Sequence, residues 1–176
     1  LGGAGNDYGE GLTLDGSGNI FLAGYGNATW GSPVQAFSGG TNDALAAKLT
    51  SAGALAWNTF LGSSGEDEAY GIAADNSGNV LVTGRSDATW GSPWRAYSGG
   101  GLDAFVAKLD GAGSRLSNGF FGAAGVDEGN KVAIDGSGNA YLAGDGSATW
   151  DSPVRAYSSG VDGFVVKMTS SERSTS

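Results

Sequence analysis

Short apolar runs separated by glycine-rich polar clusters fill the chain. No stretch of helical length carries an apolar stripe at the 3.6-residue period. The first unit reads Gly-Leu-Thr-Leu-Asp at 11–15, then Asp-Gly-Ser-Gly-Asn at 15–19, then Asn-Ile-Phe-Leu-Ala-Gly-Tyr at 19–25. An Asx-x-Ser-Gly-Asn cluster between two apolar runs predicts a hairpin: Asp starts the turn and Gly takes the positive-φ position. Asp-Ala-Leu-Ala-Ala-Lys-Leu at 43–49 predicts a third strand, and Leu-Ala-Trp-Asn-Thr-Phe-Leu-Gly at 55–62 a fourth. The second strand is apolar at consecutive residues, Ile20 to Ala23 and again Val80 to Val82. Such a strand is covered on both faces.

This unit recurs with a period of 60 residues: the turn clusters at 14–19, 74–79 and 134–139 match, as do the strands at 43–49, 103–109 and 162–168, with one residue deleted late in the third copy. Blades are expected at 1–60, 61–120 and 121–168, with a polar tail over 169–176. Four antiparallel strands per repeat, buried on both faces, describe a blade packed between blades, hence an all-β, β-propeller architecture. A β-solenoid is the main alternative, but its repeats are shorter and its strands pair in parallel. The third copy ends before its outer strand, so three four-stranded antiparallel blades are expected, the last lacking that strand. Three blades do not close a ring. The segment is expected to be an incomplete arc of a larger propeller, excised from a longer chain or completed by self-association.

The stretch Leu-Gly-Gly-Ala-Gly-Asn-Asp-Tyr-Gly-Glu-Gly-Leu-Thr-Leu-Asp-Gly-Ser-Gly-Asn-Ile-Phe-Leu-Ala-Gly-Tyr at 1–25, together with Asp-Ala-Phe-Val-Ala-Lys-Leu-Asp at 103–110, resembles the bacterial SBBP-type β-propeller repeat. The resemblance runs nearly the whole chain, three times over. It implies the fold, and it implies a secreted or cell-surface bacterial protein whose signal peptide lies outside this segment. It brings no catalytic residues.

The first–second and third–fourth turns are minimal and share one end of each blade. The long second–third loop and the fourth–first link share the other, where ligand binding is expected if there is any. Ala-Thr-Trp-Gly-Ser-Pro at 28–33 and 88–93, and Ala-Thr-Trp-Asp-Ser-Pro at 148–153, sit in that long loop. Two readings compete. In one, Trp30, Trp90 and Trp150 fold back onto the blade, with Phe37, Tyr97 and Tyr157 as second anchors and Pro33, Pro93 and Pro153 as stiffeners. In the other the same aromatics are exposed and stack on a sugar ring or a protein partner.

Asp7, Asp67 and Asp127 open the innermost strand, beside Glu66, Glu68 and Glu128. They are weak Ca²⁺ candidates; the simpler expectation is that each Asp caps backbone N–H groups, with no cofactor. The turn cluster fails as an EF-hand, since the sixth position holds Ile20, Val80 or Ala140 and the twelfth Gly26, Ser86 or Gly146. Residues 143–150 match the Asp-box of sialidase propellers too loosely to carry that chemistry: Tyr25 and Arg85 stand at its Asp position in the other copies. Lys48, Lys108 and Lys167 are read as stems along the blade face, and Asp43, Asp103 and Asp162 as strand openers.

With no Cys or His, the chain has no disulfide, no thiolate site and no Ser–His–Asp triad. The net charge of −9 argues against nucleic acid and anionic membranes, and no apolar run is long enough to span a bilayer. Because the blades hardly differ, the first expectation is a non-catalytic extracellular scaffold or protein-interaction module. The alternative is a carbohydrate-binding, lectin-like propeller using the repeated aromatics on a surface glycan, with a glycoside hydrolase a distant third.

Overall fold

The computed structural model describes residues 1–169. Its eleven strands form three antiparallel sheets with no helix among the described residues. Blade 1 is the meander β1 (Asp7–Leu14), β2 (Ile20–Gly26), β3 (Asp43–Leu49) and β4 (Leu55–Leu61). Blade 2 is β5 (Asp67–Ala74), β6 (Val80–Ser86), β7 (Asp103–Leu109) and β8 (Arg115–Phe121). Blade 3 holds β9 (Asp127–Ile134), β10 (Ala140–Gly146) and β11 (Asp162–Met168). The three sheets are open and do not close on one another. All but the first residue of the polar tail lies outside the described residues.

Each first hairpin closes as expected. Asp15 Oδ1 accepts from the Ser17 and Asn19 N–H groups, both at 2.9 Å, and Oδ2 accepts from Asn19 Nδ2 at 2.7 Å. Asp75 and Asp135 repeat the arrangement. The amide of Asn139, together with backbone N–H groups, holds the Asp135 carboxyl down to about 2.

The innermost strand opens at Asp7, Asp67 or Asp127, as expected, and in blades 1 and 2 it carries a bulge. Register slips between Gly9 and Gly11, and between Ala69 and Gly71. Opposite the bulge the partner strand must be glycine: a Cβ on Gly24 would lie 1.8 Å from the Tyr8 carbonyl oxygen, and on Gly84 1.8 Å from that of Glu68.

Blades stack through two apolar layers. Ala44, Ala46, Trp57 and Leu61 of blade 1 meet Ala69, Ile72, Val80 and Val82 of blade 2. Ala104, Val106 and Phe121 of blade 2 meet Ala140 and Leu142, with Val132 and Ile134, of blade 3. The first strands of successive blades pack on one another, β1 on β5 and β5 on β9, so they form the inner side of the arc. At its outer side Trp57 Nε1 donates to the Gly111 carbonyl of the next blade at 3.0 Å. Its ring lies 2.8 Å from where a Cβ on Gly113 would sit, and Gly113 also needs φ of 84°.

Candidate functional site

The long loops at 27–42, 87–102 and 147–161 share one face with the fourth–first links. Asn42 pairs with Glu66, and Leu102 with Val126, as parallel bridges between the end of a long loop and the link into the next blade. The Thr41 N–H donates to the Gly65 carbonyl at 2.9 Å, and Ser38 Oγ to the Ser63 carbonyl at 2.8 Å.

On this face the loop aromatics turn inward. Trp30 and Trp90 are each 6% exposed. Trp30 packs among Leu45, Ala47 and Phe60 of its own blade, with Phe37 edge-on to Phe60 at 6.1 Å. Trp90 stands edge-on to Phe105 and Phe120 at 5.3 and 5.5 Å, and Tyr97 meets Phe120 at 6.2 Å. Phe37 and Tyr97 are half-buried. Trp30 and Trp90 therefore pin their loops, with Phe37 and Tyr97 as the second anchors. The outer strand ties the loop down further. Asn58 Nδ2 donates to the Trp30 carbonyl at 3.0 Å, and Asn118 Nδ2 to that of Trp90 at 2.9 Å.

The third loop differs. Trp150 and Tyr157 are half-buried. Trp150 stands edge-on to Phe164 at 5.2 Å and tilts against Phe121 at 5.9 Å. Asp151, at φ 53°, occupies the left-handed position held by Gly31 and Gly91, and its carboxylate takes two bonds from Arg95 Nη1, at 2.6 and 2.8 Å.

The strand-opening carboxylates are caps. Asp7, Asp67 and Asp127 Oδ2 accept from the N–H groups of Gly3, Ser63 and Ala123 at 2.8–2.9 Å. Asp43, Asp103 and Asp162 Oδ2 accept from Ser38, Ser98 and Ser158, each at 2.7 Å. Burial pushes the Asp43 carboxyl up to about 6, against the Ser38 bonds and with help from the Asp67 charge. Burial raises Asp67, Asp103 and Asp127 as well. Among the described residues, no three acidic side chains are gathered to cage a metal. Asp67 Oδ1 accepts from Ser86 Oγ at 2.5 Å, and that hydroxyl accepts from Trp90 Nε1 at 3.1 Å. Blade 1 has Gly26 there, and Asp7 Oδ1 and Trp30 Nε1 have no hydrogen-bond partner among the described residues.

Lys48 rides over the Phe21 ring at 5.1 Å and Lys167 over Tyr141 at 5.6 Å, as stems laid along the blade. Lys108 lines a small pocket with Leu81 and Ile134 at the other end of the blades.

One group was not legible as a unit. Arg85 Nη2 contacts Glu66 at 2.7 Å and Glu68 at 3.0 Å, while Nη1 reaches Glu128 of the next blade at 2.5 Å. Tyr70 donates to Glu68 at 2.6 Å, under the guanidinium. Burial opposes the charge on Arg85, yet the bond to Glu128 and the surrounding carboxylates hold its pKa above the ordinary value. Tyr25 and Asp145 occupy the equivalent positions, so the blades differ most at the entrance to the inner strands. With three carboxylates answering one cation, the cluster clamps blade 2 to blade 3.

A family model described as the SBBP beta-propeller repeat matches residues 1–29, 56–89 and 121–149. No curated protein matches the chain.

Proposed function

Since the chain belongs to the SBBP beta-propeller repeat family, we propose that it acts as a non-catalytic scaffold, secreted or displayed at the cell surface, that binds protein partners blade face to blade face. The observation that carries this reading is a pair of open, matching faces. Ile72, on the inner strand of blade 2, is 7% exposed because blade 1 covers it; its equivalent Leu12 in blade 1 is 64% exposed. Val106, covered by blade 3, is 2% exposed; its equivalent Val165 in blade 3 is 73% exposed. The two ends thus offer the two halves of the interface the chain already makes twice internally. Exposed apolar area of this kind drives association.

A glycan-stacking role draws little support from Trp30 and Trp90, whose rings are spent on loop packing. The partner that fits these faces is another blade, from a longer chain of this repeat or from a second copy docked head to tail. Two arcs of three blades would supply six, within the usual range of about four to eight.

The test is sedimentation velocity on the 176-residue chain. Concentration-dependent association is expected, and Leu12→Glu, which puts a charge on one open face, shifts it toward monomer. A chain that stays strictly monomeric at every concentration and unfolds cooperatively would overturn the proposal, because its end faces would then need no partner.

A further inference from the structure

Two buried carboxylates meet at each blade junction. At the first they belong to Asp43, which opens β3, and Asp67, which opens β5. At the second they belong to Asp103, which opens β7, and Asp127, which opens β9. All four side chains are fully buried, and among the described residues none is in an ion pair. Main chain brings each pair together. The Asp67 N–H donates to the carbonyl of Asn42, the residue before Asp43, at 2.9 Å. The Asp127 N–H donates to the carbonyl of Leu102, the residue before Asp103, at 2.7 Å. A Cβ on Gly122 would stand 2.6 Å from Asp103 Oδ1 and 2.8 Å from Asp127 Oδ2, so these two carboxylates flank one glycine.

Their hydrogen bonds come from neutral donors. Ser38 gives Asp43 Oδ2 its N–H and its hydroxyl, at 2.7 and 2.6 Å, and that hydroxyl also contacts the Ser63 carbonyl in the link to blade 2. The Ser63 N–H serves Asp67 Oδ2 at 2.8 Å, and the Ser86 hydroxyl serves Oδ1 at 2.5 Å. Asp43 Oδ1 and Asp127 Oδ1 are buried with no hydrogen-bond partner among the described residues.

The charges around the first pair are mostly of its own sign. The strands that flank β3, β2 and β4, carry no charged residue, and neither does the 27–42 loop. From blade 2 come Glu66 and Glu68, whose carboxylate takes the Asn42 amide at 2.9 Å, and Asp87, which disfavours the charge on Asp67. Arg85 is held by Glu66, Glu68 and Glu128. At the second junction Arg95 favours the Asp103 charge, while Asp103 and Asp145 disfavour that of Asp127. Burial strips a carboxylate of its hydration, and a like charge beside it adds repulsion. A pair placed this way is more stable with one proton on it than fully ionised.

We propose that the blade junctions are proton-linked locks: each buried aspartate pair carries a single negative charge when the blades are closed, so that uptake of a proton tightens one blade on the next and its loss loosens them. Both junctions lie inside the chain, so no association between copies is required. The first is the sharper, because Asp43 has an unpartnered oxygen and no cation favours its charge. Burial, with the help of the Asp67 charge, raises its carboxyl to about 6. A carboxyl raised in the folded chain makes folding take up a proton. Its contribution to stability is fully present below the ordinary carboxylate value of about 4 and is gone once the pH has risen through about 6. The hairpin Asp135 works the other way and in a separate window. Its carboxyl is held down to about 2, so its contribution is present above about 4 and is lost as the pH falls toward 2.

The experiment is a series of thermal melts of the 176-residue chain between pH 4.5 and 8, at one concentration, on the parent, Asp43→Asn and Glu10→Gln. Asn keeps an acceptor for both Ser38 donors but does not ionise. Glu10 is exposed, and its replacement controls for the loss of one negative charge. The melting temperature of the parent is expected to rise by about 5 °C from pH 7.5 to pH 4.5. Asp43→Asn removes at least half of that rise and melts no lower than the parent at pH 7.5, whereas Glu10→Gln keeps the rise. A carbon NMR titration of the aspartate carboxyls reads the same event on the parent chain without relying on a variant: one resonance with a midpoint near 6 is expected. A level or falling melting temperature in the parent over this range would overturn the proposal. So would an Asp43→Asn variant with the parent's slope, a Glu10→Gln variant that flattens it equally, or the absence of any aspartate carboxyl titrating above about pH 5.

Discussion

Replacing Trp90 by Ala is expected to cost about 3–5 kcal/mol of stability. The indole is 6% exposed and meets two phenylalanine rings edge-on, Phe105 on β7 and Phe120 on β8. Its Nε1 donates to Ser86 Oγ, which in turn donates to the buried Asp67. Truncation empties the space between the 87–102 loop and both strands and removes a donor from the Ser86 hydroxyl. The loop then loses its main attachment to the sheet. Chemical denaturation of the variant checks this through its midpoint. An unchanged midpoint would mean that the ring is not part of the core.

Gly84→Ala is expected to be nearly as damaging, at about 3 kcal/mol, for a reason that involves no lost contact. A Cβ there would stand 1.8 Å from the Glu68 carbonyl oxygen and 2.7 Å from the Ala69 Cα. Both are backbone atoms of β5, held in place by the bulge and by the blades on either side. No side-chain rotation relieves the overlap, so β5 must move away from β6 and out of contact with β1 and β9. Gly16→Ala is the control. It sits in a hairpin turn with nothing within 4 Å of the added carbon and no positive φ, and its melting temperature should stay close to that of the parent chain. Equal behaviour of the two variants would contradict the bulge geometry.

What the sequence revealed is what short-range chemistry dictates. The hairpin turns at Asp15, Asp75 and Asp135 were legible because all their donors and acceptors lie within four residues. The period of 60 residues and the consecutive apolar positions of β2 and β6 were enough for blades covered on both faces. The opening of β1 at Asp7 was legible from the recurring carboxylate, but the pairing of Asp-Tyr-Gly-Glu, which has no apolar alternation, was not. The bulge near Glu10 breaks the period of two on which such readings rest. The burial of Trp30 and Trp90 was one of two open readings, and only their packing partners on β3, β4, β7 and β8 decide it. The Arg85 cluster was out of reach for a different reason. Its carboxylates come from the link before β5, from β5 itself and from β9, so no local spacing brings them together. Ser86 was similarly silent: it replaces a glycine found in both other blades, and its hydroxyl acquires meaning only beside Asp67 and Trp90.

The central claim is that the loop tryptophans of blades 1 and 2, Trp30 and Trp90, are internal fastenings of their blades. Iodide quenching of tryptophan emission, run on the native chain and on single Trp→Phe variants, tests it most directly. The account predicts that Trp30→Phe and Trp90→Phe leave the iodide-accessible part of the emission unchanged, while Trp150→Phe lowers it. If removing Trp30 or Trp90 took away the accessible emission, those rings would face solvent on the loop face, and the claim would be wrong.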